Sequence, residues 1–254
     1  LTAQSKLGLE YAVYGLLQDH LGVGFFAPHY EHIPDMPTLE LGPIEVLREP
    51  AFYARSVALF KWGRSDAGEA YARKNQFFPP TGDPIFSSHT YGKFHWQKNC
   101  PLDPEYQERL GEIFKKQFAE RDADALIPLQ AGQRDYHIKF GCGDDCERCK
   151  KMLEAEGGPS AMLITLLNKA LEYAGEDYPD HEVITFAYFN TLRPPKTIKA
   201  HPNLWINIVS SDYSGNAAGD QLNEIRGNPA NAAYAEAIRG WPQVAPGRVT
   251  MWHW

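Results

Sequence analysis

No stretch of this 254-residue chain reaches the roughly 18 consecutive apolar residues that a membrane-spanning helix needs. Basic residues never run longer than a pair such as Lys115-Lys116 or Lys150-Lys151, and the formal net charge is -7. The electrostatic footprint of a nucleic-acid-binding surface is therefore missing. There is no G-x-S-x-G, so a nucleophile elbow is absent, and no Gly-rich loop follows a strand-like run, which removes a dinucleotide site. Methionine is scarce and does not stand first, and the opening residues LTAQSKLGLEYAVYGLL have the pattern of a helix rather than a signal peptide. At the other end the chain stops at Trp254 inside an aromatic, strand-like run. Both ends are expected to be cuts in a longer protein, with any leader outside the chain. Cysteine is scarce too, yet three of the four fall between 142 and 149.

What is present is enough apolar material for a sizeable core, in one large domain or one and a half small ones. Residues 7–21, LGLEYAVYGLLQDHL, place apolar side chains at helical spacing and end at Gly22, a helix-stop residue. A short strand over 23–27 follows, closed by Pro28, then a loop over 33–37 and an extended piece over 38–41. Residues 1–49 read as the last part of a small α/β domain, with Pro50 as the junction. From there a second domain, 50–254, alternates strand-like and helical segments. Strands are expected at FYARSVALF from Phe52, around His89, at Ala125 to Leu129, Val183 to Asn190, Leu204 to Ser211 and Val249 to Trp254. Helices are expected over 66–74, 105–121, 160–174 and 231–238. That alternation predicts a parallel sheet of βαβ units, and a truncated (β/α)8 TIM-type barrel fits it best, a doubly wound open sheet being the alternative.

On such a barrel the chemistry sits where apolar runs turn polar at the carboxyl ends of the strands. The clearest case is ALIPLQAGQRDYHIKFGCGDDCERC, residues 125–149, in which a buried-looking run opens into Gln130, Gln133, Arg134 and Asp135. Asp135 is the prime candidate for a functional carboxylate, and Asp212 is its candidate partner. Trp62, His89, Trp96, Tyr188, Asn190 and Trp252 stand at the other strand ends. Together they offer stacking faces, amide hydrogen bonds and an acid, which is what a carbohydrate pocket requires. The expected partner is therefore an oligosaccharide or glycan, with no nucleic acid and no membrane span.

Cys142, Cys146 and Cys149 form C-x3-C-x2-C, and with Cys100 or His137 they could supply four tetrahedral zinc ligands. A disulfide plus a free thiol, or a reduced loop, are the alternatives. Catalysis needs no cofactor on this reading, and a zinc ion would be structural. Cys142 is a poor candidate nucleophile, because its acidic neighbours raise a thiol pKa.

The segments GLEYAVYGLLQDHLGVGFFAP, PAFYARSV, CGDDCERCK, EGGPSAMLITLLNKALE, AYFNTLRPPK and VTMWHW, in that order, resemble the bacterial domain of unknown function numbered 4838, part of which is classed as glycoside hydrolase family 163. The resemblance implies a small α/β domain like the one that precedes family 20 hexosaminidase barrels, then a (β/α)8 barrel. It also implies action on N-acetylglucosamine-containing glycans, and with it a secreted or periplasmic location. In related hexosaminidases an Asp-Glu pair ends the fourth strand. The Glu protonates the leaving oxygen and the Asp orients the substrate's acetamido group, which attacks the anomeric carbon. Asp135 stands where that pair is expected, but Tyr136 follows it. The general acid must then come from another strand end, with Asp212 as the first candidate and Glu224 as the second.

Overall fold

The computed structural model describes residues 3, 5–50, 55, 65–77, 99–123, 128–133, 138–140, 142, 146–209 and 228–252. They belong to two compact units, 1–87 and 88–254.

In the first unit Ser5 accepts the Gly8 N–H and so caps helix α1 (Lys6–Leu21), which ends at Gly22 with φ 67°. That left-handed turn is the reason for a glycine there, as the sequence predicts. Strand β1 (Gly24–Ala27) turns back at Pro28 and pairs antiparallel with β2 (Tyr30–His32), Gly24 facing His32. The hairpin was not foreseen, because β2 is exposed throughout and has no apolar alternation to reveal it. Helix α2 (Asp66–Lys74) covers the expected residues and starts at a Ser65 cap. Asn75 donates from Nδ2 to the Phe25 carbonyl at 3.2 Å, and Arg73 pairs with Glu10 at 3.1 Å.

The second unit is a parallel sheet with helices packed on it. Helix α3 (Pro104–Phe118) has Asp103 as its cap and a proline in its first turn, where the missing N–H costs nothing. Tyr106, Leu110, Phe114 and Phe118 bury its apolar stripe. Strands β3 (Leu129–Gln130), β4 (Val183–Ala187), β5 (Leu204–Val209) and β6 (Val249–Trp252) pair in parallel in chain order, with no reversal. Between β3 and β4 lie helices α4 (Glu147–Glu156) and α5 (Ser160–Gly175), and between β5 and β6 lies α6 (Ala232–Val244). One face of the sheet contributes Val183, Ala187, Leu204, Ile206 and Ile208 to the main core, with Phe114, Leu163, Leu167 and Trp241 from the helices. Alternate residues point the other way, and Phe186, Tyr188 and Val209 form a second cluster with Phe189 and Trp252. Covered on both faces, the strands read as continuous apolar runs, as parallel strands do.

The expectation of an α/β fold with parallel strands is met, and the described sheet has four strands, short of the eight of a closed barrel. Strand β4 stops at Ala187, before the expected Asn190, because Phe189 has φ 51° and leaves extended geometry. Helix α6 runs past Ile238 to Val244 despite Gly240 and Pro242. The gain is burial of Trp241, whose Nε1 donates to the Leu192 carbonyl at 2.7 Å. The strand-like runs expected from Phe52 and around His89 lie outside the described residues. Among the described residues no helix is long and apolar enough to cross a membrane.

Candidate functional site

Because the four strands are parallel, their carboxyl ends share one edge of the sheet, and there the chain turns polar. After β3 the chain passes Ala131 and Gly132 to Gln133, which is 1% exposed. Its Nε2 donates to the Tyr188 carbonyl at 3.1 Å, and its Oε1 lies 2.8 Å from the Thr191 hydroxyl. That hydroxyl also accepts the Tyr188 N–H at 3.1 Å, so the exits of β3 and β4 are held together by a satisfied polar network. Asn190 grips the backbone of Ile138, five residues beyond Gln133, with both ends of its amide. It accepts the N–H at 2.9 Å and donates to the carbonyl at 3.0 Å, as a strand neighbour would.

Tyr188 is 2% exposed, and its ring centroid lies 4.2 Å from that of Phe189. Trp252 is half-buried and meets Phe186 edge-on at 5.9 Å. Phe189 occupies the left-handed region, which costs a bulky residue on the order of 1–3 kcal/mol and is tolerated where the surroundings over-determine it. A shallow depression beside this turn is lined by Gly157, Gly158, Phe189, Asn190, Arg193 and Glu236. Deeper on the same sheet face, Asn207 and Thr250 are neighbours across the β5–β6 pairing. Their side-chain polar atoms are buried without a hydrogen-bond partner among the described residues.

Of the residues expected at the site, the structure therefore places Tyr188, Asn190 and Trp252 at this edge. Tyr188 and Asn190 act there as internal supports of the strand exits. Asp135, Asp212, Trp62, His89 and Trp96 lie outside the described residues, as do His137 and Glu224. Gln133 and Thr191 were missed as partners. Gln133 stood in the sequence beside Asp135 and offered a signal, whereas Thr191 could only be found once β4 was seen to end four residues earlier.

The cysteines converge on a single point. Cys100 precedes the Asp103 cap of α3, Cys142 stands four residues before Cys146 in the chain, Cys146 is the N-cap of α4, and Cys149 is buried in its first turn. The four sulfurs all lie within 4.8 Å of one another. Individual separations are 3.4 Å for Cys142 to Cys149, 3.7 Å for Cys100 to Cys149 and 4.0 Å for Cys100 to Cys146. All four thiols are free, so no disulfide joins them. The Cys149 backbone N–H, followed by its thiol, holds Cys146 down to about 7, whereas burial pushes Cys142 up to about 11 and raises Cys149 as well. The group could bind a metal ion. Helix α4 was not foreseen, although Cys146 before it and Gly157 after it, at φ 88°, mark its two ends.

A family model described as Domain of unknown function (DUF4838) matches residues 85–254, more than half of the chain. The chain belongs to that family. No curated protein and no solved structure matches it. The DUF4838 match takes in the whole parallel sheet, the polar strand exits and all four cysteines.

Proposed function

We propose that this chain is part of a glycoside hydrolase acting on N-acetylglucosamine-containing glycans, probing its substrate from the carboxyl edge of a (β/α)8-type barrel that a small α/β domain precedes. The observation that carries the reading is an aromatic cluster at that edge, in which the partly exposed rings of Phe189 and Trp252 are backed by the buried Phe186 and Tyr188. Two further observations support it. The strands are adjacent in chain order, as in a singly wound barrel and unlike a doubly wound sheet, which reverses at a switch point. The strained Phe189 lies at a strand exit, where backbone strain tends to mark function.

In this reading Asp135 is the orienting or acid/base carboxylate and Asp212 its partner, with a retaining outcome. Trp62, His89, Trp96 and Trp252 contact sugar, and Tyr188 and Asn190 hold the turn that carries the site. A secreted or periplasmic place of work goes with such a substrate. The zinc ion foreseen from the cysteine spacing takes no part in the chemistry, and its task is structural. A second reading, a barrel that binds glycan without cleaving it, is favoured by Tyr136 standing next to Asp135 where a second acid is expected.

The test is hydrolysis of an aryl-glycoside panel that includes the N-acetylglucosaminide, and of an N-glycan, by the full-length protein and its Asp135→Asn variant. Turnover that falls by about a hundredfold or more in the variant is the expected result, that being the usual contribution of acid–base catalysis. Equal rates in both would remove Asp135 from the mechanism, and glycan binding without turnover by the parent would establish the binding module instead.

A further inference from the structure

We infer that Cys100, Cys142, Cys146 and Cys149 together form a closed four-thiolate site for Zn2+ that cross-links the start of α3, the loop after β3 and the start of α4. This deepens the structural-zinc part of the proposed function and rests on it.

The argument is geometric. A tetrahedral ion with metal–sulfur bonds of about 2.3 Å requires its sulfurs to stand about 3.8 Å apart along every edge. Three of the six edges, at 3.4, 3.7 and 4.0 Å, bracket that length, and all four sulfurs lie within 4.8 Å of one another. A disulfide would instead bring two sulfurs to about 2.05 Å. Thiols in contact with one another make only weak hydrogen bonds, and a soft divalent cation is the ligand that a cluster of sulfur donors selects.

The sequence left the fourth ligand open between Cys100 and His137. Cys100 completes the set although it stands 46 and 49 residues along the chain from Cys146 and Cys149. With all four positions filled by protein, no coordination site is left for water or substrate, so the ion holds structure rather than activating a nucleophile. On binding, each thiol gives its proton to solvent and the ion accepts four sulfur lone pairs, leaving a site of net charge -2. Nothing is oxidised or reduced.

The position gives the site its consequence. Helix α3 packs in the main core through Tyr106, Leu110 and Phe114, while α4 is the element that follows β3 in the chain. Tying Cys100 to Cys142, Cys146 and Cys149 therefore fastens the loop beyond a candidate catalytic strand end to the helical layer.

The experiment uses the full chain, reduced and freed of metal, with Zn2+ alone as the probe and Co2+ as its spectroscopic substitute. We expect one zinc ion per chain by elemental analysis, and a cobalt spectrum with tetrahedral d–d bands and sulfur charge transfer that zinc abolishes. All four thiols should be protected from a thiol reagent until the metal is chelated. Cys100→Ser should weaken zinc binding by roughly a hundredfold, about one ligand's share of what a structural site supplies, while His137→Ala should leave it unchanged. No bound zinc, free reactivity of any one of the four thiols in the loaded chain, or a disulfide among them under the same conditions would overturn the assignment. The cobalt spectrum and thiol protection are read on the unsubstituted chain, so the outcome does not depend on a variant folding. No sugar is involved, so failure here is distinct from failure of the glycosidase reading.

Discussion

Glu156 ends helix α4 with a carboxylate only 8% exposed, a position that would be costly without partners. The partners are supplied by the segment after β4. Thr197 donates its backbone N–H to one carboxylate oxygen at 2.8 Å and its hydroxyl to the other. Burial alone would raise the carboxyl pKa, but the bonds from Thr197, with those from the Ile198 and Lys196 backbone, outweigh it and hold it below the ordinary glutamate value of 4.5. A depressed folded pKa means that Glu156 contributes stability above its ordinary value, and that this contribution is lost as pH falls through the folded one. Glu156→Gln, which keeps the shape and removes the charge, is expected to cost about 1–2 kcal/mol at pH 7 and to make the acid limb shallower. Urea unfolding at neutral and acid pH measures both, and equal curves for parent and variant would remove the carboxylate from the stability of this loop. Residues of this kind were hard to read beforehand. In KMLEAEGG, Glu156 looks like any solvated helix residue, and Thr197 lies 41 positions away. The cysteines differ because C-x3-C-x2-C is a local pattern, so three of the four converging residues were legible, while Cys100 could be selected over His137 only once the chain was folded.

At the level of elements, α2 and α5 were foreseen nearly to the residue, because local sequence alone defines them. The failures have tertiary causes. Helix α6 passes through Gly240 and Pro242 because its end buries Trp241, and Gly240 fits against Pro194, where an added Cβ would come within 2.6 Å of the ring. The packing of α3 on α5 is equally close. Gly111 faces Tyr173, and a Cβ there would stand 2.6 Å from its Cδ1 and 2.9 Å from its Cβ. Tyr173 is also fixed at both ends, since its hydroxyl donates to Glu112 at 2.6 Å and Lys115 lies 4.2 Å over its ring. A Gly→Ala change in a helix normally gains up to about 1 kcal/mol in propensity. Here the neighbour in the way is a Cβ, which cannot swing aside without moving α5. We therefore expect Gly111→Ala to be destabilising by about 1–3 kcal/mol, the usual range for overpacking. Thermal unfolding of Gly111→Ala, Tyr173→Ala and the double variant checks this, the double being less destabilised than the two singles added together. Additive effects would mean that the two helices do not meet there.

For the molecule as a whole, the alternation of strand and helix was legible and implied a parallel sheet, and the expected barrel carried with it the chain-order pairing β3-β4-β5-β6 that the described strands show, although no local feature of the sequence separates that order from a doubly wound one. That order and the burial pattern predict an uneven distribution of stability. Strands β4 and β5 are central in the sheet and buried nearly throughout, with Val183 and Leu204 at its base and the main core on one face. In the first unit, β2 is exposed along its whole length, and large apolar side chains from Leu9 to Leu47, the latter 90% exposed, lie open. An isolated two-stranded hairpin is marginal in water, whereas a central strand covered on both faces opens only with the whole core. Native-state hydrogen exchange should therefore show the amides of β4, β5 and the buried face of α5 exchanging slowest, at the free energy of global unfolding. Those of β1 and β2 should exchange by local opening, faster by about a thousandfold or more if the two differ by about 4 kcal/mol. Mass-spectrometric detection on peptides covering 24–32, 160–175 and 183–209 resolves the three regions. Equal protection of the hairpin and the central strands would mean that the first unit has a core of its own comparable to the second, and that the division of stability drawn from burial is wrong.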